Sequence, residues 1–332
     1  MREVAALAGV SLKTVSRVVN REPNVSPSVR ERVERAVAKL DYRHNLAASN
    51  LRKANGRTGS LGALVQDISN SFSASVLRRI ENAARDRGLA LLAASLDEDA
   101  DREMSLVRDL VTRRVDGLIM MPSTDRQDYL ASELRAGLPL VFLDRPPTGI
   151  DCDYVIVDNV RGGRVATEHL LAGGHRRIAL LTDNAHIYTA AGRTDGFHEA
   201  YAARALSPDP ALVVAGLRNE EAGLAAIERL MDLADPPTAI FASRNTLCVG
   251  AARALSRRGL QRTVALVGFD DFPLADIVEP GLTVIRQDTA RIAQKVADLL
   301  FARLDGSTDL PHHVVLAPTL VVRGSGELPP PT

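Results

Sequence analysis

The stretch VAALAGVSLKTVSRVVN at residues 4–20 reads as two short amphipathic helices pivoting on Gly9. Ala5 and Ala8 are small, which lets a second helix lie across the first, and Gly9 is free to take the positive φ that ends helix one. Ser11 offers an N-cap to the second helix. The outward face of that helix carries Leu12, Lys13, Thr14, Ser16, Arg17 and Asn20, while Val15, Val18 and Val19 face inward. A pair of helices joined in this way is a helix-turn-helix, whose second member lies in the DNA major groove. Leu12, Lys13 and Arg17 are then placed to read base edges, and Thr14, Ser16 and Asn20 to hold phosphates. Ser11 and Asn24 border the same surface.

Charge along the chain agrees with that assignment. Residues 1–57 hold twelve Lys and Arg against five Asp and Glu, so this head carries +7 although the whole chain is formally neutral. The remainder therefore carries −7. A basic head suits a polyanion, and an acidic body discourages non-specific DNA binding.

Working outward, Ser26-Pro27 reads as an N-cap with Pro in the first turn, followed by a helical stripe of Val29, Val33, Val37 and Leu40. This third helix closes a small headpiece, with Tyr42 at its base. The segment Asn45 to Lys53 holds good helix formers for only about two turns, too few to be stable alone in water. From Gly59 onward strands and helices alternate: LGALVQD, LALLAASL, DGLIMMP and PLVFLD are separated by helical patterns, and the theme restarts at YVIVDN. This order predicts parallel sheets covered by helices. Two such sheets facing one another make a cleft beyond the carboxyl ends of their strands.

At 332 residues the chain can bury full cores, and its 45% hydrophobic and 25% charged composition is ordinarily globular. No apolar run reaches membrane-spanning length, and Met1 leads straight into the first helix without a signal-peptide pattern, so a cytoplasmic protein is expected. Cys152 and Cys248 have no His or Cys partner at ligand spacing and read as small core residues. The histidines show no metal spacing, and no cofactor fingerprint is present: Gly162-Gly163 lacks a phosphate-loop frame and reads as a helix start.

With these residues in hand, the pattern VAxxAGVSxxTVSRVxN resembles the signature of the lactose/galactose repressor family at every fixed position. The resemblance implies an N-terminal all-α helix-turn-helix headpiece (1–44), a hinge helix and linker (45–57), and an α/β periplasmic-binding-protein-like domain with two doubly wound parallel-sheet lobes (58–324). Lobe one is expected at about 58–156 plus 288–315 and lobe two at about 157–287 plus 316–324, followed by a flexible tail at 325–332. In the family the hinge helix forms on DNA, and its leucine wedges into the minor groove at the operator centre. Leu51 sits at that position and Ala48 at the matching small one, with Asn45 opening the segment. Where the family often has Pro and Arg in this hinge, the chain has Leu46 and Ser49.

Polar residues cluster at the expected strand ends: Asp67 and Phe72, Asp144, Arg193, Arg244 and Asn245, and Asp270. Carboxylates and a guanidinium each hold vicinal hydroxyls by paired hydrogen bonds, and Phe72 could stack on a sugar's apolar face. The resemblance places Asp144, Arg193, Asn245 and Asp270 in an effector pocket. The family commonly has Asn-Asp where this chain has Arg244-Asn245, and two aromatics where it has Phe72-Ser73. The extra Arg244 points either to an anionic effector or to an ion pair with Asp270 or another cleft acid.

The function implied is a dimeric transcription regulator, a repressor, that binds a palindromic operator under the control of a small sugar-like effector. A regulator tuned by a partner protein or a non-sugar ligand is the close alternative. A sugar-binding transport protein would need export, and a carbohydrate-acting enzyme would need a catalytic frame that the chain does not show.

Overall fold

The computed structural model describes residues 1–19, 23–42 and 57–331. The chain divides into two compact units, Met1–Thr58 and Gly59–Thr332.

In the first unit, helices α1 (Arg2–Ala8), α2 (Leu12–Val19) and α3 (Pro27–Lys39) pack around fully buried Val4, Val15 and Val33. Gly9 ends α1 at φ 62°, and the N–H of Val10 donates to Ala5 O while that of Gly9 donates to Ala6 O. This Schellman closure needs a residue without a Cβ penalty at that φ. Ser11 caps α2, its Oγ accepting from Thr14 N at 3.1 Å. Two expectations for α3 are corrected. Ser26 stands at the N-cap without a side-chain cap bond, its hydroxyl lying instead against Ser28. Leu40 is 40% exposed because the helix ends before it, and Ala36 takes its place in the core. Tyr42 packs half-buried against the cluster, as its position suggests.

The second unit holds two six-stranded sheets. Lobe one contains β1 (Ser60–Val65), β2 (Ala90–Ser95), β3 (Gly117–Met120), β4 (Leu140–Leu143), β5 (Asp153–Val157) and β11 (His313–Leu316), in the spatial order β11-β5-β4-β3-β1-β2, all parallel. Helices α4 (Ser71–Asp86) and α11 (Thr289–Leu304) cover one face, meeting it through Val76, Ile80, Val296 and Leu300. Helix α5 (Ala100–Thr112) covers the other with Val107 and Leu110, and α6 (Ala131–Arg135) is a short turn beside it.

Lobe two contains β6 (Ile178–Leu181), β7 (Val213–Val214), β8 (Ala239–Ala242), β9 (Ala265–Phe269), β10 (Thr283–Arg286) and β12 (Thr319–Val321), in the order β12-β10-β9-β8-β6-β7. Its edge strand β12 is antiparallel to β10, the one departure from the expected all-parallel sheets among the described residues. Helices α7 (Asn159–Ala172) and α8 (Tyr188–Ala202) pack on one face, and α9 (Glu220–Met231) and α10 (Asn245–Arg257) on the other. The chain passes between lobes after β5, after β10 and between β11 and β12.

The α7–α8 pair is held unusually close. A Cβ on Gly163 would lie 2.1 Å from Arg193 O, and one on Gly196 would lie 2.0 Å from Val160 O. Gly162-Gly163 is thus part of a helix, as the sequence suggests; Gly163 makes room for this contact between helix backbones, and Gly162 for the Phe269 ring, 2.6 Å from where its Cβ would stand.

The flexible tail expected at 325–332 is corrected over its described part. Ser325 is buried, its Oγ donating to Leu266 O and accepting from Thr283 N. Buried His175 lies 2.8 Å from Leu328 O, and His169 pairs with Glu327. The segment closes the lower face of lobe two. Both cysteines are free and buried, and burial pushes both thiols up to about 12. No helix among the described residues is long and apolar enough to cross a membrane.

Candidate functional site

Strands of both sheets point their carboxyl ends into one cleft of about 610 Å³, counting its open mouth. Every ligand-site residue expected from the sequence lines it: Asp67, Phe72, Asp144, Arg193, Arg244, Asn245 and Asp270. Sequence reasoning did not find Gln66, Asn70, Glu98, Arg145, Asp183 and Gln287, which line it too. Gln66, Arg145 and Gln287 stand directly beyond strand ends or beside an expected residue, and Asp183 lies two positions past β6, so applying the strand-end rule to the first two positions beyond every strand would have included them.

Asp144 and Asp270 occupy equivalent places, after β4 and β9, and both adopt left-handed backbone at φ 68° and 71°. Such a φ is uncommon for a residue other than Gly and most accessible to Asn and Asp. Their main-chain N–H groups donate to Val155 O and Ile285 O on the neighbouring strands, which turns each carboxylate into the cleft.

Arg193 rises from α8, only 6% exposed. Its Nε donates to Asn159 Oδ1 at 2.9 Å and its Nη1 to Ser243 O at 2.7 Å, while the guanidinium stacks on the Phe269 ring 3.6 Å from the centroid. Burial lowers its pKa against the opposing pull of Asp270 and Asp144. Arg145 is clamped by Glu98, Nη1 donating to Oε2 at 2.7 Å and Nη2 to Oε1, with a further bond to Pro122 O. Gln66 holds the Glu98 loop by accepting from Glu98 N and donating to Met121 O. Arg244 pairs with a cleft acid, Asp183, at 2.8 Å, and not with Asp270. Asp270 instead accepts from Gln287 Nε2 at 2.6 Å.

Three polar groups remain unmatched. The Asp144 carboxylate takes no hydrogen bond from a described residue and lies 3.8 Å from Arg145 Nε, which itself has no acceptor. Gln287 Oε1 is buried without a donor. Burial raises the pKa of Asp144 against the pull of Arg145 and Arg193, and Asp270 and Glu98 raise it further.

Two expected residues play partly local parts. Asp67 Oδ1 accepts from the N–H and hydroxyl of Ser69, closing a turn at the rim. Phe72 is 8% exposed and joins the core of lobe one beneath the cleft.

On the headpiece, Ser11, Leu12, Lys13 and Asn24 are exposed, and Thr14, Ser16 and Arg17 are half-buried. Leu12 and Lys13 open α2, where a recognition helix meets base edges. The Thr14 hydroxyl lies 2.9 Å from Ser11 Oγ, so it belongs to the cap as well as to the outward face. Asn20, Asn45, Ala48 and Leu51, and with them the expected hinge helix, lie outside the described residues.

Comparison with known proteins agrees with both parts. The family "Bacterial regulatory proteins, lacI family" matches residues 1–45, and "Periplasmic binding protein-like domain" matches residues 167–326. The chain is 36% identical to the transcriptional regulator CelR of Thermobifida fusca over 97% of each chain. It is 32% identical to the ribose operon repressor of Haemophilus influenzae over 98% of each. The lac repressor dimer bound to operator and an anti-inducer superposes with a TM-score of 0.82 at 28% identity, covering 97% of both chains. A headpiece with an exposed recognition helix, a two-lobed body with a polar cleft and these full-length similarities show that the chain belongs to the lacI family of bacterial transcription regulators.

Proposed function

We propose that this regulator is a cytoplasmic repressor, without a catalytic step, that binds a palindromic operator as a homodimer and responds to an uncharged sugar in its cleft. The observation that carries the effector class is the set of unmatched groups: the Asp144 carboxylate and Gln287 Oε1 need donors, and Arg145 Nε needs an acceptor. A hydroxyl supplies both functions, and a polyol supplies several in fixed array. Charge supports the same reading. The lining holds Asp67, Glu98, Asp144, Asp183 and Asp270 against Arg145, Arg193 and Arg244, a formal −2. Arg244 and Arg145 are already paired with Asp183 and Glu98, and Arg193 lies under the pull of Asp270 and Asp144, so an anionic effector would enter a lining of net negative charge. Two relatives are named for sugars, a ribose operon repressor and a CelR–cellobiose complex, while others are named as the repressor PurR.

Calorimetry with candidate sugars and their phosphates tests this. The free sugar is expected to bind at least about tenfold more tightly than its phosphate, the cost of one poorly compensated charge. Equal or tighter binding of the phosphate would overturn the uncharged reading.

For the dimer, the supporting surface is on lobe two. Leu274, Ile277 and Val278 are 62%, 69% and 43% exposed, beside an apolar groove of Leu255, Val264, Phe272 and Leu282. Protruding and recessed apolar groups on one face suit a second copy of the same face related by a two-fold axis. Ile277→Asp is expected to raise the dimer dissociation constant by about 100-fold or more, as loss of a central apolar anchor does. Sedimentation at micromolar concentration would show monomer, and an unchanged dimer would place the interface elsewhere.

The operator is tested by retaining genomic fragments on the purified protein at moderate salt and sequencing them. A shared palindrome is expected. Salt-sensitive retention with no common site would count against specific recognition by Leu12, Lys13 and Arg17.

A further inference from the structure

The side-chain hydrogen bonds that span the cleft among the described residues all run through Asn245. Asn70, just before α4 in lobe one, donates from Nδ2 to Asn245 Oδ1 at 3.0 Å. Asn245, the first residue of α10 in lobe two, donates from Nδ2 to Asn70 Oδ1 at 3.1 Å and to Ser71 Oγ at 3.0 Å. The orientation of each amide is fixed by its own helix. Asn70 Oδ1 also accepts from Phe72 N, and Asn245 Oδ1 from Thr246 N, so each oxygen faces a helix N-terminus and each NH2 reaches across. Two helix N-termini are thereby brought head to head, an arrangement that is unfavourable unless acceptors stand between them. The two amide oxygens are those acceptors.

We propose that the Asn70–Asn245 amide pair is a catch that holds the two lobes closed in the absence of effector. The catch is uncharged, so it adds no cost of buried charge and holds at any pH where the fold persists. It deepens the reading of the cleft as an effector site by assigning what regulates access to it. The effector meets a cleft whose closed form is already populated, and its apparent affinity depends on the strength of the catch.

The test uses the full chain without any sugar, so it stands or falls independently of the effector's identity. Asn70→Asp and Asn245→Asp each leave one NH2 able to donate to a carboxylate, and Asp serves a helix N-terminus as well as Asn does. Either single variant is expected to keep the wild-type radius of gyration in small-angle scattering. The double variant sets two carboxylates face to face with neither amide donor left and only the Ser71 hydroxyl beside them. At pH 7 it is expected to show a larger radius and at least tenfold faster hydrogen exchange at backbone amides lining the cleft. Its radius should return to that of the single variants as pH falls through the carboxylate range and a shared proton restores a bond. A double variant as compact as wild type at pH 7 would overturn the catch. Single variants as open as the double would overturn it too, because each still keeps one amide-to-carboxylate bond across the cleft.

Discussion

Gly196→Ala is expected to remove more than about 4 kcal/mol of stability, enough to leave little folded protein, because the added methyl would meet main chain on both sides. Its Cβ would stand 2.0 Å from Val160 O and 2.5 Å from Arg164 N, where ordinary contact begins near 3.4 Å. Neither atom is the end of a side chain that could swing away. Relief requires α7 and α8 to separate by about an ångström along their contact, which would also lift the residues above and below. Arg193 stands one turn before Gly196 on α8, and its bond to Asn159 bridges the same two helices. The cleft would lose its central guanidinium along with the packing. Gly223→Ala is the useful contrast. Its Cβ would lie 3.2 Å from Leu247 backbone atoms, a misfit of tenths of an ångström, and about 1–2 kcal/mol is expected. Urea unfolding of the two variants measures the difference. A Gly196→Ala protein within 1 kcal/mol of wild type would show that the two helices are not locked at this distance.

That contact also marks where reading the sequence stops. The helix-turn-helix was legible because its requirements are local: a small residue at 5, a positive φ at 9 and an acceptor at 11 are properties of single positions. The alternation of strands and helices after Gly59 was legible for the same reason, since period and punctuation survive without tertiary knowledge. Asp67, Asp144, Arg244, Asn245 and Asp270 line the cleft because they follow the carboxyl ends of parallel strands, which the order βαβα already locates, whereas Phe72 and Arg193 reach it from helices α4 and α8. Partners were not legible. Arg244 meets Asp183, sixty-one residues away, and Arg145 meets Glu98 on a different strand end; spacing along the chain carries no information on either. The glycines at 163 and 196 had no visible purpose until α7 lay on α8, nor Gly162 until Phe269 packed against it. The tail read as flexible because Pro and a short length argue against regular structure, yet His175 and Ser325 supply it with buried hydrogen bonds in place of helix or strand.

Asp144→Asn is expected to stabilise the empty protein at neutral pH while weakening effector binding by about 5–10-fold. The backbone tolerates the change, since Asn adopts the left-handed φ of 68° as readily as Asp does. The carboxylate takes no hydrogen bond from a described residue, and burial raises its pKa against the pull of Arg145 and Arg193. Between the unfolded carboxylate value and that raised folded value, the native state binds more protons than the unfolded chain. Stability from this group is therefore complete below the unfolded value and is lost as pH rises through the folded one. An amide carries no charge to desolvate, so the variant lacks this decline and should gain about 1–2 kcal/mol over wild type at pH 7, the gap closing in acid. The cost falls on function. An effector hydroxyl that donates to a carboxylate makes a charge-assisted bond, and against an amide oxygen it keeps only a neutral one, a difference of roughly 1–1.5 kcal/mol. Thermal unfolding from pH 4 to 8 and calorimetry with the bound sugar read the two effects separately. A variant less stable than wild type at pH 7 would mean that Asp144 is already compensated by Arg145 and Arg193, and that the cleft holds no strained charge for a ligand to relieve.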